Sequence, residues 1–268
     1  MLSQAGDQRR SLAGAKTLLL AGRYAVEQED MLEADAYLQE SLEICLEIGP
    51  AAEPLLASVL VSRSIQALVR KDFESGISLM KESLKIRRAL GDPGGTANSL
   101  AMLGELASSL GNLSEARAFW LEALEFAKIA GEKRITAIIV GSLGEVSEKM
   151  GAFDEALNFY TQSLPIAQKL RDYYLAGINL FALASVKVSQ GSGTDVEEAI
   201  KIFGAAKTLH RKYGARLSGI GNYEEIEWKI LSLRESLGEE FFEAAYAEGE
   251  AMDFDQAVAF ALSQTEFD

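Results

Sequence analysis

Forty residues after Gly111-Asn112-Leu113-Ser114-Glu115-Ala116, the chain returns to Gly151-Ala152-Phe153-Asp154-Glu155-Ala156, and its flanking positions return with it. A recurring unit constrains the fold more than any single motif, because each copy must bury its apolar face on its neighbours. Three sets of small residues mark the register: Gly22, Ser64, Gly104, Gly144 and Ala184; then Ala34, Gly76, Ala116, Ala156 and Ala199; then Ser41, Ser83, Ala123, Ser163 and Ala206. Within each set the spacing is 40 to 43 residues.

Each unit reads as two helices. Leu100, Leu103, Gly104 and Ala107 share one helical face, a turn follows at Gly111-Asn112, and a second stripe runs through Ala116, Trp120, Ala123, Leu124 and Ala127 to Gly131. Small residues where two helices cross let the backbones approach, and a large residue one turn away fills the neighbouring gap. Leu38, Met80, Trp120, Tyr160 and Phe203 hold that large position, which makes the aromatic members core residues rather than a binding stripe. The pattern predicts an all-α solenoid of about five helical hairpins over residues 1–213, with turns at Glu29-Asp30, Lys71-Asp72, Gly111-Asn112, Gly151-Ala152 and Gly191-Ser192-Gly193-Thr194. Beyond Gly214 the period stops, and residues 214–268 read as capping helices for the end of the same solenoid, with Asn222/Glu225 and Asp253/Gln256 placed as capping boxes.

The small-large-small signature resembles the tetratricopeptide repeat family, over roughly residues 11–213, with each helix extended by part of a turn. That resemblance implies a right-handed superhelix and a non-catalytic role in binding proteins or peptides. The tail is similar to the C-terminal helical sensor region of bacterial signal-transduction ATPases with numerous domains, including members with LuxR-type output. The likeness rests on Ala199-Ile200-Lys201-Ile202-Phe203-Gly204-Ala205-Ala206, Leu237-Gly238-Glu239-Glu240-Phe241 and Ala247-Glu248-Gly249-Glu250-Ala251-Met252. It implies a sensor or scaffold segment of a signalling or transcriptional regulator. The phosphate-loop pattern GxxxxGK[ST] of the motor domain is absent from the sequence.

Composition narrows the partners. With 40 acidic and 26 basic residues the formal charge is −14, which disfavours direct binding to nucleic acid or to anionic membrane surfaces. The single cysteine, Cys45, forms no internal disulfide and fits a core position in a reducing cytoplasm. No run is expected to approach the roughly 20 apolar residues of a membrane span. The lone His210 lies far along the chain from Cys45, so no Cys/His catalytic pair or zinc set is expected, and carboxylate pairs such as Glu145/Glu148 read first as a helix face; the chain is not expected to be an enzyme and calls for no cofactor or metal.

The surface most suited to recognition is the concave side of the first helix in each hairpin. It comprises Asn98, Ala101, Glu105 and Ser108 in the third unit, Ile138, Gly141, Glu145 and Glu148 in the fourth, and Ile178 and Phe181 in the fifth. Small residues there leave room, the glutamates supply acceptors, and Ile178 and Phe181 form an apolar wall. Such a groove suits a peptide with basic residues or, alternatively, a small-molecule effector sensed on behalf of an ATPase domain. Leu18, Leu19, Leu20 and Val26 place apolar residues on more than one side of the first helix, which predicts association with a second copy or with residues 1–10 folded back.

Overall fold

The computed structural model describes residues 10–191, 193–213 and 223–263, and every regular element among them is helical. The chain divides into two compact units, Met1–Ala107 and Ser108–Asp268. The first holds α1 (Leu12–Glu27), α2 (Met31–Ile48), a 3-10 turn (Gly49–Ala52), α3 (Glu53–Val69) and α4 (Phe73–Ala89), with α5 (Pro93–Ser109) ending at the unit boundary. The second holds α6 (Leu113–Ala130), α7 (Lys133–Lys149), α8 (Phe153–Leu170), α9 (Tyr173–Gln190) and α10 (Gly193–Tyr213), then α11 (Tyr223–Leu237), α12 (Glu239–Glu250) and α13 (Phe254–Ser263). Helices pair as hairpins α1–α2 and α3–α4 in the first unit, and α7–α8 and α9–α10 in the second. Each unit is thus an all-α assembly of repeated helical hairpins.

The turns solve one backbone problem in two ways. Reversing direction between helices takes a residue with positive φ, which costs a non-glycine residue roughly 1 kcal/mol. Gly111 and Gly151 take that conformation freely, and the Asn112 and Ala152 caps that follow make no side-chain hydrogen bond. Glu29, Lys71 and Arg171 take it with a side chain, and each is followed by an aspartate, Asp30, Asp72 or Asp172. These aspartates accept from the N–H of Glu33, Ser75 and Leu175. An aspartate cap contributes about 1 kcal/mol, enough to offset the strain of the preceding residue.

Close approach within hairpins follows the small residues. A Cβ on Gly22 would lie 2.7 Å from Leu38, and one on Gly144 would lie 2.6 Å from the Tyr160 ring. The serine set does more than keep the crossing narrow. Ser41, Ser83 and Ser163 each donate a 2.8 Å hydrogen bond from the buried hydroxyl to the carbonyl of Ala15, Ala57 and Ala137, in every case 26 residues earlier. Ser64, where other hairpins place glycine or alanine, donates to the Gly76 carbonyl at 2.7 Å. Cys45 is buried in the first unit's core, and that burial pushes its thiol up, as expected of an inert core residue.

The end of the second unit is sealed by backbone contact. A Cβ on Gly204 of α10 would come 2.5 Å from the Tyr246 carbonyl oxygen of α12, and one on Gly249 would enter the Lys201 carbonyl. The box at Asp253 and Gln256 forms as the sequence predicts, each backbone N–H bonding the other's side chain at 2.9 Å. Asn222 and the break at Gly214 lie outside the described residues, as do residues 1–9. One expectation is corrected: the stretch Met31–Val69 does reach the length and apolarity of a membrane-crossing helix. It folds instead as α2 and α3 around the 3-10 turn, with Leu38, Ile44, Val59 and Leu60 buried between helices.

Candidate functional site

In the second unit, α7 presents a half-buried strip of Ile138, Gly141, Glu145 and Glu148. The spacings of three and four keep these residues on one helical face. Lys149, at the end of α7, pairs with Glu145 at 2.6 Å and donates to Ser108 at 3.3 Å, so Ser108 is nearly buried as a partner of α7. Asn98 and Glu105 are exposed and Ala101 half-buried on α5 in the first unit.

Glu148 is the polar centre of the strip. Its carboxylate accepts from the Tyr160 hydroxyl at 3.1 Å and from the Ser185 hydroxyl at 3.0 Å. Burial pushes this carboxyl above its ordinary value; the two hydroxyls and the Lys229 charge pull it back, while neighbouring Glu145 adds to the rise. Tyr160 reaches Glu148 because Gly144 lies beneath its ring, and burial with the nearby carboxylates raises the phenol well above its usual range. One carboxylate is thereby held in a fixed orientation by neighbours from α8 and α9. A signal for this existed in the sequence: among Leu38, Met80, Trp120, Tyr160 and Phe203, Tyr160 alone carries a hydroxyl at the large position.

Two predicted contributors stand elsewhere. Phe181 is fully buried, with its ring 5.2 Å from that of Phe203, and it belongs to the core rather than to a groove wall. Gly141 does not hold space for a ligand, since a Cβ there would lie 2.8 Å from the Asn179 side-chain oxygen. Asn179 is itself buried and donates to Ser163 at 2.8 Å, so Gly141 admits α9 against α7. Ile178 keeps partial exposure. The physical reason is common to both corrections: α9 is packed by α7 and α8 before it and by α10, α11 and α13 after it, and it buries residues on nearly all sides. An all-round apolar helix is a buried one, and the run Leu180-Phe181-Ala182-Leu183-Ala184 carries that mark.

With this geometry in place, the comparisons become informative. A tetratricopeptide repeat family model matches residues 55–129, which cover α4 and α5 with most of α3 and α6. That stretch carries the tetratricopeptide repeat signature, and hairpins on either side of it have the same helix-pair form. No curated protein sequence matches the chain. Among solved structures, the signal transduction ATPase with numerous domains from Pyrococcus horikoshii, which has a tetratricopeptide repeat sensor, aligns with a TM-score of 0.64 at 17% identity, over 87% of this chain and 39% of its own. Aspartyl phosphate phosphatase F from Bacillus subtilis aligns with a TM-score of 0.65 at 17% identity, over 95% of this chain and 60% of its own. The Rap conjugation gene regulator of plasmid pLS20, solved in complex with the Phr* peptide, gives 0.57 at 16% identity, over 99% of this chain and 78% of its own. At such identities the likeness is one of fold, and the chain spans well under half the length of the Pyrococcus ATPase.

Proposed function

We propose that the chain is a non-catalytic module that binds a protein or peptide along the inner strip of α7, as the sensor or scaffold segment of a cytoplasmic signalling or transcriptional regulator. The observation that carries this reading is Glu148: a carboxylate held by Tyr160 and Ser185, on the same face as the half-open Ile138 and Glu145. A fixed acceptor flanked by apolar surface suits a lysine or arginine set among aliphatic residues of a partner. The neighbouring folds support the reading, since one was solved with a bound peptide and another contains a repeat sensor within a larger ATPase.

The test is a set of synthetic helical peptides, each carrying a lysine or arginine between aliphatic residues, titrated against the parent and the Glu145→Gln/Glu148→Gln variant. Loss of both charges should weaken binding by about tenfold and flatten its salt dependence, with helicity unchanged. Equal binding by both proteins refutes the reading. Binding of a neutral polyhydroxylated effector, weakened by the variant without any change in salt dependence, would instead establish the small-molecule sensor.

A further inference from the structure

The covering of α9 bears on what this surface recognises. The three C-terminal helices attach in different ways. α12 is locked to α10 through the close backbone contact at Gly204 and Gly249, and α13 buries Phe254, Ala257, Val258 and Ala261 in the core of the unit. Together they close the end of the repeat. α11 lies against α9 through side chains, Ile226 and Ile230, one turn apart, being buried in that same core and Lys229 between them donating to the Ser189 hydroxyl; ion pairs also tie it to α10 (Lys207–Glu227) and to α12 (Arg234–Glu243). Ser189 stands one turn beyond Ser185, the residue that holds Glu148, so the Lys229 ammonium ends a polar row running from Glu148 through Ser185. The opposite side of α11 is exposed, with Trp228 at 72% of its full accessibility. The adjoining strip on α7 stays half-open.

We infer that α11 is an intramolecular occupant of the α9 face that adjoins the α7 strip, and that the partner it stands in for presents an amphipathic helix with two aliphatic residues one turn apart and a lysine between them. This rests on the binding role proposed for the α7 strip and names the partner's chemistry. An Ile-x-x-Lys-Ile face buries its aliphatic pair on α9 and carries its ammonium to the serine row, where the negative charge of Glu148 favours it. A partner helix of the same pattern competes for α9 and gains the open α7 strip beside it, while α12 and α13 keep the end of the repeat closed. Its apparent affinity is reduced by the fraction of molecules in which α11 is seated.

The experiment uses the full chain in a Cys45→Ala background with Ser189→Cys and Lys229→Cys, joined by a cleavable bismaleimide linker that holds α11 in place. The probe is a fluorescent synthetic peptide with the sequence of residues 223–237. Linked protein should bind the peptide at least about tenfold more weakly than the same protein after cleavage. Ile226→Ser in the unlinked parent, with its melting transition retained, should strengthen binding by a similar factor. Equal affinity before and after cleavage, or no peptide binding in any form, overturns the inference. Repeating the titration with Glu148→Gln separates it from the reading on which it rests. Weaker binding by Glu148→Gln together with indifference to the linker leaves the α7 strip as a binding surface and removes α11 as the occupant of the α9 face beside it, whereas indifference to both removes both.

Discussion

The α3–α4 and α7–α8 hairpins share a frame and differ in what they present. In each, a serine on the second helix donates to an alanine carbonyl on the first, Ser83 to Ala57 and Ser163 to Ala137. The two then diverge at the crossing. Ser64 ties its hydroxyl to Gly76 and the large position is Met80, an apolar side chain that ends in the core. Gly144 offers only space, and the large position is Tyr160, whose ring fills that space and whose hydroxyl emerges at Glu148. One repeat can therefore be purely structural and another can orient a carboxylate, through two residues and with no change of backbone plan.

The largest effect that tests this contrast is steric. Gly144→Leu must displace a rigid, fully enclosed ring and is expected to lower stability by about 3 kcal/mol, while Gly76→Ala meets the flexible end of Leu68 and should cost about 1 kcal/mol. Urea midpoints of the two variants check the ranking; equal shifts would show that the two crossings are equally accommodating.

Next in size are the serine bonds. Ser83→Ala removes one buried hydrogen bond, worth about 1 kcal/mol. Ser163→Ala also strips the buried Asn179 amide of its acceptor, and should cost about 2 kcal/mol. Adding Asn179→Ala to Ser163→Ala should then cost less than the sum of the single changes, which a double-mutant cycle measures directly.

Smaller is the dependence on pH that Glu148 gives the α7–α8 hairpin. Glu148 has a folded-state pKa above its unfolded value, so the folded state holds the extra proton. Its contribution to stability is full below the ordinary glutamate pKa and is lost as pH rises through the folded value. Glu148→Gln should remove that falling segment and make the chain relatively more stable at neutral pH. Tyr160→Phe, by deleting a bond to the charged form, should move the segment to higher pH. Stability measured between about pH 4 and pH 8 reads both effects, and a parent profile identical to that of Glu148→Gln would contradict the assignment.

The smallest effect lies in the turns. Lys71→Gly relieves positive φ before the Asp72 cap and should change stability by less than about 1 kcal/mol, whereas Gly151→Lys introduces the same strain before Ala152, which caps nothing, and should lose about 1 kcal/mol.

The period and the turns were legible because small residues and breakers are written in the chain at fixed intervals, as Gly144/Tyr160 and Gly151 illustrate. The serine set was legible as small residues, but not as donors, because the carbonyl each one reaches lies 26 residues earlier and a carbonyl leaves no mark in a sequence. The candidate site was legible where α7 is concerned, since Glu145 and Glu148 share a face. Phe181 and Gly141 were misplaced because an apolar or small residue reads alike whether it faces a groove or a neighbouring helix, and here the neighbours are Phe203 of α10 and Asn179 of α9. Partners brought in by non-periodic segments, such as Ser189 with Lys229, are invisible to a rule built on recurrence.

The serine-to-alanine bonds that close the α1–α2, α3–α4 and α7–α8 hairpins also set a length scale for assembly. Each links residues only 26 positions apart, so a hairpin can complete its buried polar contact once both of its helices have left the ribosome, before the next pair has been made. Loop closure over such a distance is fast, and chains dominated by near-neighbour contacts fold rapidly. Synthesis from the N-terminus would then lay down one closed pair after another. The α7–α8 clasp forms after those of the first two hairpins, and Glu148 acquires its full surroundings only when α9 brings Ser185.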